Sequence, residues 1–404
     1  MPAGWRLLRV PTRGPAMRAA LARVPWWTVP GVLAVLVVVA GWLPLPELRT
    51  LAGTTVPVLG FVLAVTVLAG MCATAGLFEA AGALAVRLAR GSRLALWSTT
   101  VVLATVCTVV LSLDTTAVLL TPVVIAAGRR AGVAVAPLAL TVVALANTAS
   151  LLLPVSNLTN LLAENDFRAA GLSYLAVMWA PALAVLLVTV LVLALLHRRS
   201  LAGRFEAAAQ ADVADRFLLR WCTAVMVLVA LGFLAQLPAW AVATGGVLLL
   251  GIGLLVRWTP VPLGEFVPWR MLIAVAGLFV LVQAAQTHGL HTLLAGFAGS
   301  GDSGGALARF AAAGAVTGNV IDNLPAFLAL APLADSADRL ATLLVSVNAG
   351  PIILPWGSLA TLLWWQQVRR HGGEVDRWWT VIRQGLVLAP LVVAAGVGAT
   401  LLAR

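Results

Sequence analysis

The chain has 404 residues, of which 61% are apolar and only 10% are charged. A soluble core does not need so much apolar sequence. Runs of about 18 or more apolar residues follow one another, which indicates a helical protein that crosses the lipid bilayer several times. The net charge of +11 comes from 26 arginines and no lysine. Because the arginines occupy short segments between apolar runs, they argue against a nucleic-acid partner and are typical of cytoplasmic anchors.

The amino-terminal part predicts two ordinary spans. Residues 1–27 are basic, contain no acidic residue and show no convincing cleavage site, so we expect a cytoplasmic amino terminus that is retained. The first span covers about 28–45, and the second covers about 54–77. Glu47 and Arg49 are expected in an outer loop between these spans.

Residues 94–128 are unusual for a membrane span. Arginines flank both ends, and the second apolar limb (117–128) is too short to cross a hydrocarbon core of ~30 Å as a helix. Both ends therefore belong on the cytoplasmic side. We predict a re-entrant hairpin whose polar tip runs from Ser112 to Thr116 and contains Asp114.

The next segment, 134–165, is predicted to be a span with an unwound centre. Pro154 removes a backbone donor within a run that also contains Asn147, Asn157 and Asn160. Broken backbone at membrane depth is tolerated only where it is buried in protein or lines a wet cavity. This break is therefore a candidate part of a solute pathway.

The second half repeats the pattern after a polar loop and one extra span, which together cover 197–237. A second hairpin is predicted over 304–333, and its tip runs from Gly318 to Pro325 and contains Asp322. A second unwound span is predicted over 339–366. Two prolines and two glycines interrupt its apolar sequence, at Gly350, Pro351, Pro355 and Gly357.

Two repeats follow from this order of elements, one over 28–196 and one over 238–404. Pro154 aligns with Pro355, and the odd connecting span makes the repeats opposite in sense, as in inverted-repeat transporters. The predicted fold is an all-α polytopic membrane protein with an inverted repeat, two re-entrant hairpins and two unwound transmembrane helices. We expect it in the cell's inner (plasma) membrane, and the arginine distribution predicts a cytoplasmic amino terminus and a carboxyl terminus outside.

Only two carboxylates fall well within apolar sequence, Asp114 and Asp322. An ionisable group at this depth costs at least ~2.5–3.5 kcal/mol on insertion scales, so it usually faces a cavity and has a function. A plainer interpretation is that each aspartate only caps a helix of its hairpin. Capping is compatible with binding a cation or carrying a proton.

Amide and hydroxyl groups accumulate at both breaks. Half-helix amino ends suit oxyanion or hydroxyl ligands, and freed carbonyls suit Na⁺ or a proton carrier. The alternative is that these groups only bridge neighbouring helices. We predict no organic cofactor and no metal centre, only a coupling proton or Na⁺. The candidate substrate- and ion-binding residues are Ser112, Asp114, Thr115, Thr116, Asn147, Ser156, Asn157, Thr159, Asn160, Asn319, Asp322, Asn323, Asn348, Gly357, Ser358 and Thr361.

Four motifs lie at the polar breaks and the second hairpin tip: Asn147-Thr-Ala-Ser-Leu, Val155-Ser-Asn-Leu-Thr-Asn-Leu, Asp322-Asn-Leu-Pro-Ala and Gly357-Ser-Leu-Ala-Thr-Leu-Leu-Trp. They resemble the arsenite efflux permease family, a branch of the ion transporter superfamily that also holds dicarboxylate/sodium symporters and Na⁺/H⁺ antiporters. The resemblance implies a central site between the breaks and proton-driven export of trivalent arsenic or antimony hydroxides. It also implies a homodimer and, in some members, a soluble ATPase partner.

The chain departs from the family pattern at four positions. Leu113 replaces a usual Asn, Asn147 a usual Asp, Asp322 a usual Asn and Ile352 a usual Lys. The acidic groups are therefore redistributed, which leaves open a sodium- or proton-coupled carrier of dicarboxylate-like anions or a Na⁺/H⁺ antiporter. An aspartyl intramembrane protease is disfavoured because neither aspartate has the sequence context of such enzymes. We predict a transporter and no enzyme.

Overall fold

The computed structural model describes residues 28–206, 215–235, 237–372, 375 and 378–403. Within these residues the regular structure is helical, and no strand forms apart from one isolated bridge. Eight helical stretches of this part are long and apolar enough to cross a membrane. The prediction of an all-α polytopic membrane protein is therefore confirmed. The predicted basic segment 1–27 lies outside the described residues.

The helices are numbered in chain order. They are α1 (Thr28–Val39), α2 (Leu45–Thr74), α3 (Leu77–Ala89), α4 (Arg93–Leu111), α5 (Leu113–Arg130), α6 (Val135–Thr148), α7 (Leu158–Ala169), α8 (Tyr174–Leu201), α9 (Arg216–Leu234), α10 (Ala239–Val256), α11 (Leu263–Phe266), α12 (Trp269–Thr287), α13 (Leu290–Ala298), α14 (Gly304–Ile321), α15 (Asn323–Leu330), α16 (Ala337–Ala349), α17 (Leu359–Arg370) and α18 (Trp378–Leu402). Short 3₁₀ turns occupy Ala149–Leu152, Pro154–Ser156 and Ala331–Leu333.

The first two helices differ from the predicted spans. Helix α1 ends at Val39, and α2 already begins at Leu45. Pro44 precedes α2 in an extended conformation, and Glu47 lies in its first turn, where an acidic side chain favours the positive end of the helix dipole. The prediction that Glu47 and Arg49 lie in a loop is therefore wrong, because local helix-start signals extend the helix beyond its apolar part.

Each hairpin turns at a single residue. Ser112 separates α4 from α5 with φ of 134°, and Asp322 separates α14 from α15 with φ of 79°. Both values lie in the region that usually favours glycine, so each turn holds a strained backbone. The predicted tips, Ser112 to Thr116 and Gly318 to Pro325, are too long. The side chain of each turn residue caps the helix that directly follows it.

The order of elements in the first half recurs in the second. Helices α2 to α8 and α12 to α18 each comprise a long helix, a short helix, a hairpin, a broken helix and a final long helix. The bounds of the broken helices recur 201 residues later, from 148 to 349, from 158 to 359 and from 169 to 370. Across the halves, α8 packs on α18, α1 on α12 and α10 on α2. The residues beside both breaks are buried, among them Ser150 and Leu151 in the first and Val347 and Asn348 in the second.

Helix α18 supports the second break through Gly385. A Cβ at this glycine would lie 2.2 Å from the Ile352 carbonyl oxygen and 2.7 Å from the Ile353 Cα atom. A real Cβ atom would overlap with backbone at these distances, so the contact between α18 and the unwound segment requires glycine. The position of the break therefore depends on this close approach.

We expect Gly385→Ala to lower the free energy of unfolding by roughly 1–3 kcal/mol, because the methyl group displaces α18 from the break. Gly398→Ala is the matched control, since a Cβ at Gly398 in the same helix meets nothing within 4 Å. Thermal melting in detergent measures both variants. Equal melting temperatures for the two variants would contradict the close contact.

Candidate substrate and ion site

A cavity of about 590 Å³ lies between the hairpin tips and the breaks. The residues that cap α5, α7, α15 and α17 all line it, so four helices begin at its wall. Apolar side chains such as Phe61, Phe233 and Phe279 form the other walls. The polar lining residues are Ser112, Asp114, Ser156, Asn157, Asp322, Asn323 and Ser358.

Both membrane carboxylates line this cavity, but their environments differ. Asp322 is buried, caps α15 by accepting a hydrogen bond from the Leu324 N–H (3.3 Å), and also interacts with the backbone N–H of Leu359 at the start of α17. Asp114 lies in the first turn of α5, and its Oδ1 atom is buried without a hydrogen-bond partner among the described residues. The two carboxylates interact electrostatically. A proton or cation bound between them would relieve their repulsion.

The capping alternative therefore applies to one aspartate and not to the other. In the first hairpin the cap is Ser112, whose Oγ atom accepts from the Thr115 N–H (3.3 Å) and lies 3.0 Å from the Thr115 Oγ1 atom. Asp322 takes the corresponding place in the second hairpin. Asp114 does not cap α5, so helix capping does not explain its carboxylate.

Asn348 joins the two breaks. Its Oδ1 atom accepts hydrogen bonds from Asn157 Nδ2 and Thr159 Oγ1, both at 2.9 Å, and its Nδ2 atom donates to Asn160 Oδ1 at 2.8 Å. Asn160 in turn donates to the carbonyl of Ser150 at 2.7 Å. Thr159, Asn160 and Asn348 are therefore engaged in holding the breaks together, as polar residues do between membrane helices, and they do not line the cavity.

Asn319 performs a similar task for the second break. Its Nδ2 atom donates to the Gly350 carbonyl at 2.9 Å, and its Oδ1 atom accepts from the backbone N–H groups of Ile353 and Leu354 at 3.1 and 3.0 Å. The Ile353 and Leu354 N–H groups would otherwise lack backbone partners where the helix is unwound, whereas the Gly350 carbonyl also accepts from the Ile352 N–H at 2.8 Å. Gly357 lies so close to the Pro351 carbonyl oxygen that a Cβ would be 2.8 Å away, so its contribution is its missing side chain.

Seven of the predicted site residues thus line the cavity, and the other nine lie outside its lining. These nine are Thr115, Thr116, Asn147, Thr159, Asn160, Asn319, Asn348, Gly357 and Thr361. Thr116 accepts a hydrogen bond from Thr108 (3.1 Å), which ties the limbs of the first hairpin together. Asn147 donates to the Val143 carbonyl at 2.9 Å and reaches Thr361 Oγ1 at 3.5 Å.

Sequence reasoning missed two residues that support the breaks. The Tyr174 hydroxyl donates to the Leu151 carbonyl at 2.8 Å, and the Trp364 indole N–H donates to the Ala139 carbonyl at 2.8 Å. Both side chains are buried. Tyr174 is the only tyrosine of the chain and follows the first break closely, which is a signal that the sequence offers. Trp364 resembles the interfacial tryptophans of other spans and gives no such signal.

Unwound helices around a central polar cavity, within a bundle of membrane-length helices, define the class of helical membrane transporters. The chain belongs to the CitMHS citrate transporter family, whose sequence model matches residues 19–361. It is similar to the arsenical pump membrane proteins of Yersinia enterocolitica (27% identity over 352 residues) and Escherichia coli K12 (26% over 351 residues), with 81% of each chain covered.

Two further similarities extend over most of the chain. A transporter of Mycobacterium tuberculosis is 26% identical over 356 residues, with 81% of each chain covered. Among solved structures, the chain is similar to the Alcanivorax borkumensis YdaH transporter, with 19% identity and a TM-score of 0.46 over 90% of this chain and 89% of that chain.

We expect Asn348→Ala to lower the free energy of unfolding by about 3 kcal/mol or more, because it leaves several buried polar groups unpaired at once. Asn165→Ala on α7 is the control, since Asn165 is exposed. Its melting temperature should match that of the wild type. A melting temperature of Asn348→Ala equal to that of the control would show that Asn348 does not join the breaks.

Proposed function

We propose that the chain is a secondary active transporter that exports arsenite or antimonite, as neutral trihydroxides, in exchange for protons. The observation that carries the proposal is the charge of the cavity. Its described lining contains two carboxylates and several amide and hydroxyl groups, but no arginine, lysine or histidine. A neutral solute with hydroxyl groups matches this lining, because it brings no charge that must be desolvated and it exchanges hydrogen bonds with amides and hydroxyls.

The relatives support the same cargo. The similarity to proteins named arsenical pump membrane proteins covers 81% of both chains and therefore includes both halves. The aligned length supports a shared transport site. The cavity lining supports a neutral solute, and the similarity to arsenical pump proteins supports arsenite as that solute.

Proton coupling rests on Asp114. Asp114 lines the cavity together with Asp322, and its Oδ1 atom is buried with no hydrogen-bond partner among the described residues. Such a group gains most from binding a proton, since protonation removes both the buried charge and the repulsion. Asp322 is a weaker candidate, because its carboxylate already caps α15 by accepting a hydrogen bond from the Leu324 N–H.

Alternating access is supported by the recurrence of the elements. We interpret the two halves as inverted repeats whose hairpins are re-entrant, which lets two arrangements of similar energy exchange around a fixed site. The repeats are residues 28–196 and 238–404, separated by a linker and a connecting span. The proposal includes a plasma-membrane location with the amino terminus cytoplasmic and the carboxyl terminus outside. A homodimer and a soluble ATPase partner remain expectations of the family resemblance.

A sodium-coupled carrier of dicarboxylate-like anions is the second candidate. One observation favours it: four helices begin at the cavity, and helix amino ends attract anions. Against it, Asp322 already interacts with the amino end of α17, and no cationic side chain is present in the described lining to pair with a carboxylate. A Na⁺/H⁺ antiporter would use the two carboxylates but would leave the amide and hydroxyl groups unexplained.

Flux into proteoliposomes tests the proposal. We expect an imposed pH gradient to drive arsenite movement and a Na⁺ gradient of equal size not to do so. Asp114→Asn should reduce pH-driven flux by roughly tenfold or more, since an amide cannot carry a proton. Arsenite is measured by elemental analysis and protons by an internal dye.

Asp166→Asn on the exposed end of α7 is the matched control and should keep wild-type flux. Melting curves of both variants separate lost transport from lost folding. Wild-type protein that moves citrate under a Na⁺ gradient, and no arsenite under either gradient, would replace the proposal with the second candidate. Proton-driven flux that survives in Asp114→Asn would remove Asp114 from the coupling step.

A further inference from the structure

Two related hydrogen bonds connect the two breaks, and each of these contacts is called a crossing. On one side Asn348, at the end of α16, donates to Asn160 in the first turn of α7 at 2.8 Å. On the other side Asn147, at the end of α6, reaches Thr361 in the first turn of α17 at 3.5 Å. Each contact pairs an asparagine with a residue of the opposite half, and the partners are 201 residues apart in the sequence (147 to 348 and 160 to 361).

The two crossings differ in what the asparagine carbonyl accepts. The Asn348 Oδ1 atom accepts from Asn157 and Thr159. The residues at the corresponding positions on the other side, 201 further on, are Ser358 and Ala360. Ala360 has no hydroxyl group, and the serine side chain is shorter than that of asparagine. The second crossing therefore lacks the donors that complete the first. The crossing at Asn348 is called filled and the crossing at Asn147 unfilled.

Two buried polar atoms are left over as a result. Asn147 Oδ1 and Ser358 Oγ have no hydrogen-bond partner within the described part of the chain, and both residues are 0% exposed. The orientation of Asn147 is fixed, because its Nδ2 atom already donates to the Val143 carbonyl. A buried acceptor and a buried hydroxyl without partners lower stability, so a native structure usually provides each with a ligand or an ordered water.

We propose that Asn147 Oδ1 and Ser358 Oγ bind one hydroxyl group of the transported solute, and a water molecule when no solute is bound. The solute hydroxyl donates to the Asn147 carbonyl oxygen, and its oxygen accepts from the Ser358 hydroxyl. Ser358 lines the cavity and Asn147 lies behind that lining, so in this proposal the solute hydroxyl reaches Asn147 by entering beside Ser358. Thr361, one turn further along α17 and in contact with Asn147, places the asparagine beside the same end of the helix.

The surrounding charges favour a neutral hydroxyl over an ion. Ser358 stands at the amino end of α17, where the helix dipole disfavours a cation. Asp322 interacts with the first N–H group of that helix, so an anion would meet a carboxylate. A hydroxyl group, which is donor and acceptor at once, meets neither objection. The inference rests on the proposed function for the identity of the solute, but not for the existence of the unfilled crossing.

A mirrored pair of variants tests this inference. Ser358→Ala removes a hydroxyl that has no protein partner and does not cap α17 through its side chain, so the melting temperature should stay unchanged. In proteoliposomes the apparent KM for arsenite should rise about 3- to 10-fold, the loss expected for one hydrogen bond. Thr159→Ala removes the corresponding hydroxyl of the filled crossing and should lower the melting temperature by about 1–2 °C with an unchanged KM.

A third variant adds the missing donor. Ser358→Asn places an amide where the first crossing has Asn157, and it should keep or raise the melting temperature while it weakens arsenite transport. An unchanged KM in Ser358→Ala would overturn the inference. So would a loss of melting temperature equal to that of Thr159→Ala, because the serine would then have a protein partner.

The melting-temperature measurements need no substrate, so they distinguish a failure of the proposed function from a failure of this inference. If the wild type carries no arsenite, the proposed function fails. The unfilled crossing is then judged by the three melting temperatures alone, and a stable Ser358→Ala beside a weakened Thr159→Ala supports it. If Ser358→Asn does not fold, Ser358→Ala still decides, since it adds no volume.

Discussion

Satisfying unwound backbone inside a membrane is the constraint on which the rest of the structure depends. A helix that breaks in hydrocarbon exposes N–H and C=O groups that no water can reach, and each must find a partner within the protein. Here the partners are mostly asparagine amides. Asn319 binds three backbone groups of the second break, Asn160 binds the first, and Asn348 joins the two. The breaks therefore form one hydrogen-bonded unit built from both halves of the chain.

The same constraint explains how far the sequence could predict the site. Prolines accompanied by amide and hydroxyl residues inside apolar runs locate both breaks, and two aspartates within apolar sequence locate both hairpins. Proline alone does not suffice, since Pro57, Pro181 and Pro390 lie within continuous helices. The sequence could not separate amides that hold backbone from amides that face the cavity. That distinction depends on partners far away in the chain, such as Asn348 for Asn157, and a single sequence does not reveal such contacts.

Helix bounds show a related limit. The beginning of α2 depends on Pro44 and Glu47, which are local helix-start signals, whereas the prediction followed hydropathy alone and placed the start too late. At the hairpin tips, polar composition suggested long turns. Side-chain capping by Ser112 and Asp322 instead starts the next helix at once, at the expense of a strained φ at each turn. At both hairpin tips, side-chain capping therefore decides where the next helix begins, and polar composition does not.

The two hairpin aspartates, treated alike in the sequence, are not equivalent in the structure. Ser112 and Asp322 occupy matching turns, so Asp114 is the extra acid of the first hairpin. Asp322 caps α15 by accepting a hydrogen bond from the Leu324 N–H, which makes it suited to a fixed role. Asp114 has an oxygen without a partner and so can exchange a proton or cation without breaking a protein hydrogen bond.

Symmetry and its local loss explain different properties of this fold. In the proposed alternating-access cycle, the recurrence of the elements in both halves allows two arrangements of similar energy to exchange. If the second crossing repeated the first in full, however, its polar groups would all have protein partners, and none would be left for a solute. The filled crossing at Asn348 gives the centre its rigidity, and the unfilled crossing at Asn147 and Ser358 leaves polar groups available. The proposed recognition of a small neutral solute therefore depends on the few positions at which the second half does not repeat the first.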